Sequence, residues 1–146
     1  MTGAGLGPSA AEVLEEIRSR AGPLRTPSDL DHLVRRVGGD RYVCIGEASH
    51  GTHEYYEWRC TLSRRLIEEH GFTWIGVEGD WPDCWRINRW VRGDDESGCD
   101  ARGLLAGFGR WPTWMWANEE VAGFLTWLRG WNLSRSPGDR VGFYGL

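Results

Sequence analysis

Cys44-Ile45-Gly46-Glu47-Ala48-Ser49-His50-Gly51-Thr52-His53-Glu54 carries the chain from an apolar run, begun at Tyr42, into a helical pattern. The junction holds a glycine, a carboxylate and an imidazole. Open α/β sheets present reactive groups at the carboxyl ends of their strands in this way. The pattern recurs downstream: Trp74-Ile75-Gly76-Val77 is followed by Glu78-Gly79-Asp80-Trp81. Two strand ends, each finishing in a glutamate, predict a polar site at one edge of a sheet.

Working outward, Ser9 is placed to cap a helix over 10–21, with Val13, Leu14 and Ile17 on one face. Residues 1–9 read as a disordered N-terminus. Thr26-Pro27-Ser28-Asp29 is a helix start with proline at the first helical position and an acidic first turn. A first strand is expected over 41–46. The helix after it should span 53–70, with Tyr55, Trp58, Leu62 and Leu66 as its apolar stripe and Gly71 beyond its end. A second strand over 72–77 follows. Helices near 82–91, 101–108 and 117–131 come next, and a third strand over 141–146 closes the chain. Strands separated by helices predict an α/β fold with parallel pairing and right-handed crossovers. A three-stranded sheet of this kind leaves edges unpaired. The chain is therefore expected to be the N-terminal part of a longer protein, its closest partner being the C-terminal segment of that protein.

The composition narrows the function. The 146 residues carry 17 basic side chains, all arginine, against 21 acidic ones, for a net charge of -4. A mildly acidic chain without a basic run gives no electrostatic reason to expect nucleic acid or an anionic membrane as partner. The N-terminus lacks the basic start and apolar core of a signal peptide, and no apolar run approaches the ~20 residues that span a bilayer. Cys44, Cys60, Cys84 and Cys99 form no C-x-x-C pair. They read as reduced thiols of a cytoplasmic protein. Ten tryptophans are many for this length. The cluster Trp111-Pro112-Thr113-Trp114-Met115-Trp116 is hard to bury whole, because each indole N–H needs an acceptor. Such a cluster can wall an apolar pocket.

The candidate catalytic residues are His50, Glu47 and Glu78, with Arg59 for substrate binding. Adjacent parallel strands lie about 4.8 Å apart, so carboxylates at their ends can meet one imidazole. A carboxylate fixes the histidine tautomer and strengthens it as a base toward water. Arg59, two turns into the helix, can reach the carboxylates or a substrate oxygen. The plainer alternatives are that Glu47 caps the helix and His50 serves the turn. Glu78, directly after an apolar strand, is expected to be shielded from solvent. Glu47, His50 and Glu78 are also a mixed oxygen and nitrogen ligand set, which leaves a metal-dependent hydrolase as a rival. No cofactor is otherwise expected. His32, His53 and His70 read as surface or cap residues, and Asp80 as a helix N-cap.

At these residues the chain resembles the erythromycin esterase family, which includes the so-called succinoglycan biosynthesis proteins. The resemblance rests on Ile45-Gly46-Glu47-Ala48-Ser49-His50-Gly51-Thr52-His53-Glu54-Tyr55-Tyr56 with Arg59, and on Val77-Glu78-Gly79-Asp80-Trp81. It continues through Ile87-Asn88-Arg89-Trp90-Val91, Pro112-Thr113-Trp114-Met115-Trp116-Ala117-Asn118-Glu119-Glu120-Val121 and Val141-Gly142-Phe143-Tyr144-Gly145-Leu146. It covers about residues 10–146. The resemblance implies a three-layer α/β sandwich with a mostly parallel sheet and a helical part beside it. It implies ester hydrolysis of a small-molecule substrate, a macrolide lactone in resistance-conferring members. His50 matches the expected general base, and Glu47, Glu78 and Arg59 match members of its cleft. Family members are much longer and carry a further catalytic histidine well downstream. A remnant that binds small molecules without chemistry is the non-enzymatic alternative.

Overall fold

Two short strands, β1 (Trp74–Val77) and β2 (Gly142–Gly145), pair in parallel, with Trp74 opposite Gly142 and Val77 opposite Gly145. The ladder extends at both ends, where Gly142 N–H donates to Thr73 O at 2.9 Å and Leu146 N–H to Val77 O at 2.9 Å. The coordinates are a computed structural model, which describes residues 7–95, 97–109 and 113–146. The parallel α/β class expected from alternating strands and helices is thus present, with a sheet of two strands among the described residues.

The expected first strand over 41–46 is not formed: the segment has no ladder partner among the described residues. It still carries the signature of a strand. Val43, Ile45 and Glu47 are half-buried while Tyr42, Cys44 and Gly46 are exposed, a period of two. One face therefore lies against the protein although the backbone pairs with nothing described. The consequence is that Glu47 faces inward.

The chain divides into two units, Met1–Arg36 and Val37–Leu146. In the first, α1 (Ala10–Arg20) begins with a capping box. Ser9 Oγ accepts from Glu12 N–H at 3.3 Å, and the Glu12 carboxylate accepts from Ser9 N–H at 2.7 Å. Val13, Leu14 and Ile17, the apolar face of this helix, are exposed. Asp29 accepts from the backbone N–H groups of Arg25 and Thr26, both at 2.8 Å, at the head of a 3₁₀ turn, Pro27–Leu30. That turn leads into α2 (Asp31–Val37), and Leu30 and Val34 are the buried side chains here. Of the N-terminal nine residues, 1–6 lie outside the described ones.

The second unit is built on α3 (His53–His70), α4 (Trp81–Val91), α5 (Ala101–Leu105) and α6 (Glu119–Leu133). Gly71 ends α3 at φ 70°, a left-handed conformation that costs glycine nothing, and its N–H returns to Ile67 O. Of the stripe expected on α3, Leu66 is buried, but at its start the buried side falls one residue later. Tyr56, Cys60 and Ile67 join the core, and Tyr55 is exposed. Along α4 the buried side chains Cys84, Ile87 and Val91 recur at helical spacing. Val121, Phe124, Leu125 and Leu128 do the same along α6. Among the described residues no helix is long and apolar enough to cross a membrane.

Two buried asparagines fasten the helices to β2. Asn88 Oδ1 accepts from Phe143 N–H at 2.9 Å. Asn132, fully buried, donates to Val91 O and Val141 O, each at 2.9 Å, and accepts from Val141 N–H at 2.8 Å. Every polar atom of the Asn132 side chain is therefore engaged, the condition under which burial of an amide is tolerated. An aromatic stack runs along the other side of β2: Trp85 on Trp81 (5.8 Å), Trp81 on Tyr144 (6.1 Å) and Tyr144 on Trp74 (5.9 Å).

Candidate functional site

Residues 47–52 turn the chain sharply into α3, and the turn is built for close approach. Gly51 has φ 79°, and a Cβ there would lie 2.9 Å from the Trp114 ring. Ser49 and Thr52 hydroxyls bond each other at 2.7 Å across the turn. Gly51 N–H donates to the Tyr56 hydroxyl at 3.3 Å, one turn into α3. These contacts hold His50 at the mouth of a cleft of about 450 Å³.

Glu47 organises the site. Its side chain is 7% exposed, and it reaches two partners. One oxygen accepts from the Arg59 guanidinium and the other from His50 Nδ1. An ionised carboxylate only accepts, so Nδ1 carries the proton and Nε2 is left as the basic nitrogen. The His50 side chain is 45% exposed, open to a ligand on the side away from Glu47. Arg59 is fixed from its faces as well, over the Tyr56 ring at 5.3 Å and the Trp116 ring at 5.8 Å. It is a structural partner of Glu47 as much as a candidate substrate ligand.

Glu78 does not join this network. It follows β1 at the expected strand end, but its residue is exposed, contrary to the shielded position expected of it. It is the Glu78 carbonyl that is engaged, accepting from Trp116 Nε1–H at 2.7 Å. Of the four residues singled out from sequence, the fold brings together Glu47, His50 and Arg59. Glu78 makes no hydrogen bond to the imidazole.

The opposite wall of the cleft comes from α6 and the segment before it. Trp114 tilts toward His50, with ring centroids 6.5 Å apart, and gives the cleft an apolar side. Asn118 caps α6 through Val121 N–H (2.9 Å) and donates to Met115 O (3.2 Å), fixing the segment that carries Trp114. Trp111 and Pro112 of the same aromatic cluster lie outside the described residues. Tyr56 is almost fully buried and lines the cleft; burial pushes its phenol up from the ordinary value, so it stays a neutral O–H donor.

His53, read from sequence as a surface or cap residue, lines the cleft and pairs with Glu120. His53 Nδ1 lies 2.5 Å from Glu120 Oε1, joining the first turns of α3 and α6. The hydrogen bond to Glu120 raises the His53 pKa above the usual histidine value, helped by the charges of Glu120, Glu57 and Glu54. No local pattern could have selected Glu120, because its partner is 67 residues away. Among the described residues no group of three or more His, Cys, Asp or Glu side chains is placed to hold a metal ion.

Residues 67–146 match the sequence profile of the erythromycin esterase family. Over 121 residues the chain is 31% identical to erythromycin esterase type II of Escherichia coli, an alignment spanning 81% of this chain and 26% of that protein. The fold superposes on the crystal structure of a succinoglycan biosynthesis protein with a TM-score of 0.76 at 27% identity, over 97% of this chain and 35% of the other. It superposes on that of a Bacillus cereus protein with a TM-score of 0.75 at 22% identity, over 94% of this chain and 33% of the other; this second likeness bears on the fold alone. The chain thus spans about a quarter of the curated relative and about a third of each solved structure. With more than half of its residues covered by the profile, the chain belongs to the erythromycin esterase family.

Proposed function

We propose that this chain supplies the general-base side of an ester hydrolase. The single observation that carries the reading is the Glu47 carboxylate, held by Arg59 and bonded to His50 Nδ1 at the mouth of a cleft. The imidazole is thereby left with Nε2 as its basic nitrogen. In the proposed step His50 Nε2 takes a proton from water as the water oxygen attacks an ester carbonyl carbon. Glu47 orients the ring and stabilises the imidazolium that forms. The Tyr56 hydroxyl, which accepts from Gly51 N–H, offers its own proton to the developing oxyanion. Trp114 supports a bulky, partly apolar substrate, and a macrolide lactone fits that description. Glu78, apart from the imidazole, has no proton-transfer step in this scheme. The four free cysteines agree with a reducing, cytoplasmic setting.

The test is His50→Gln in the intact protein, assayed against macrolides and simple esters. Loss of about 10²-fold or more in kcat/KM with KM little changed is the expected result for a general base. Unchanged turnover of every cleaved substrate would remove His50 from the mechanism.

A further inference from the structure

The cleft contains a second imidazole that the base mechanism does not use. We infer that His53, held by Glu120 and facing the same cleft as His50, is the general acid that protonates the departing alcohol. This assignment rests on the ester-hydrolase reading of the same site.

Each histidine turns Nδ1 to a carboxylate, His50 to Glu47 and His53 to Glu120, so each keeps Nε2 for chemistry. Their surroundings differ in a way that separates their roles. Glu47 is neutralised by Arg59, so His50 faces a carboxylate whose charge is already answered. Among the described residues Glu120 forms its ion pair with His53 and with no arginine; the Cys60 thiol donates to its backbone carbonyl at 3.6 Å. Burial pushes Cys60 up to about 11, so that thiol brings no charge near neutral pH. From its own helix His53 meets Glu57, with Nε2 3.7 Å from Oε2, and the nearby charge of Glu54. The 3.7 Å separation is too long for a hydrogen bond, so the Nε2–H stays available to a ligand. Three carboxylates around one imidazole favour the imidazolium, the direction of the His53 shift. One histidine suited to take a proton and one suited to give it then face a common cleft.

The proton balance closes. Water adds to the ester carbonyl carbon as its proton passes to His50 Nε2. The carbon–oxygen bond to the alcohol breaks, and the electron pair stays on the leaving oxygen. That oxygen takes the proton of His53 Nε2. The imidazolium of His50 then loses its proton to solvent and His53 regains one, so ester and water give acid and alcohol with no other reactant.

The test compares ethyl and p-nitrophenyl esters of one acid, because a nitrophenolate leaves without a proton and an alkoxide does not. In His53→Gln the ethyl ester should lose about 10²-fold in kcat, and the p-nitrophenyl ester markedly less. In Glu120→Gln, which weakens the hold on the proton, the alkaline limb of kcat/KM for the ethyl ester should move to lower pH. Equal losses on both esters, or no loss on the ethyl ester, would overturn the assignment while leaving His50 in place. Failure of the unmutated protein to cleave either ester would overturn the ester-hydrolase reading and this assignment with it.

Discussion

Glu47 and Arg59 form a shielded ion pair beside His50, with side chains only 7% and 17% exposed. Removing one partner of a buried pair leaves the other charge unanswered, at a cost of about 3–5 kcal/mol. Arg59→Ala should therefore lower the urea midpoint strongly as well as disturb His50. Glu47→Gln, which removes the charge but keeps the shape, should cost less stability and still impair turnover. Equal stability of Arg59→Ala and the parent protein would show that the pair is not held as described.

Asn132→Ala should be among the most damaging single changes in the chain. It strands the N–H of Val141 and the carbonyls of Val91 and Val141. Buried groups left unpaired cost about 1–3 kcal/mol each, so a loss of about 3–5 kcal/mol is expected in chemical denaturation. A loss below about 1 kcal/mol would mean that water replaces the side chain.

Two glycines should respond in opposite directions to alanine. At Gly145 a Cβ would sit 2.2 Å from Gly79 O and 3.0 Å from the Asp80 carbonyl carbon, both backbone atoms. Gly145→Ala should therefore lower the melting temperature. Gly123 lies inside α6 with nothing within 4 Å of its Cβ position. Gly123→Ala should stabilise by about 0.5–1 kcal/mol through helix propensity. Thermal melts of the two variants check both signs.

The thiols should divide into two pairs. Cys44 and Cys99 are exposed, whereas burial pushes Cys60 and Cys84 each up to about 11. The thiolate is the reactive form. At pH 8 a thiol reagent should label Cys44 and Cys99 quickly and the other two only on unfolding, as mass spectrometry of peptides would read.

The His53–Glu120 link should also show in stability against pH. A histidine whose folded pKa is raised adds stability that is complete below its unfolded value, near 6.5, and is lost as pH rises through the folded value. The melting-temperature gap between the parent protein and Glu120→Gln should therefore narrow from acid to mildly alkaline pH. NMR titration should place the His53 imidazole above the ordinary histidine value, and nearer to it in the variant.

Periodicity and end signals located most elements. The limits of α3 at His53 and His70 follow from a polar turn and a left-handed glycine, both local. The parallel pairing of β1 with β2 follows from the helices between them. The segment 41–46 shows where local pattern stops: its residues alternate as a strand should, but a ladder needs a partner, which alternation does not specify. The shift of the α3 stripe from Tyr55 to Tyr56 has a similar origin. Two adjacent tyrosines satisfy helical spacing almost equally, and contact with the Gly51 turn selects the second. Glu47, His50 and Arg59 were legible because a tight turn and two helical turns bring them together. The His53–Glu120 pair was not, since it is made by the packing of α3 on α6.

The two ends of α6 are anchored to different tasks. Near its start Asn118 and Glu120 face the cleft, and near its end Asn132 grips the entry to β2. Glu120 and Asn132 are twelve positions apart, or about 18 Å at the helical rise. The amide that grips the entry to β2 and the carboxylate that holds His53 thus ride on one helix.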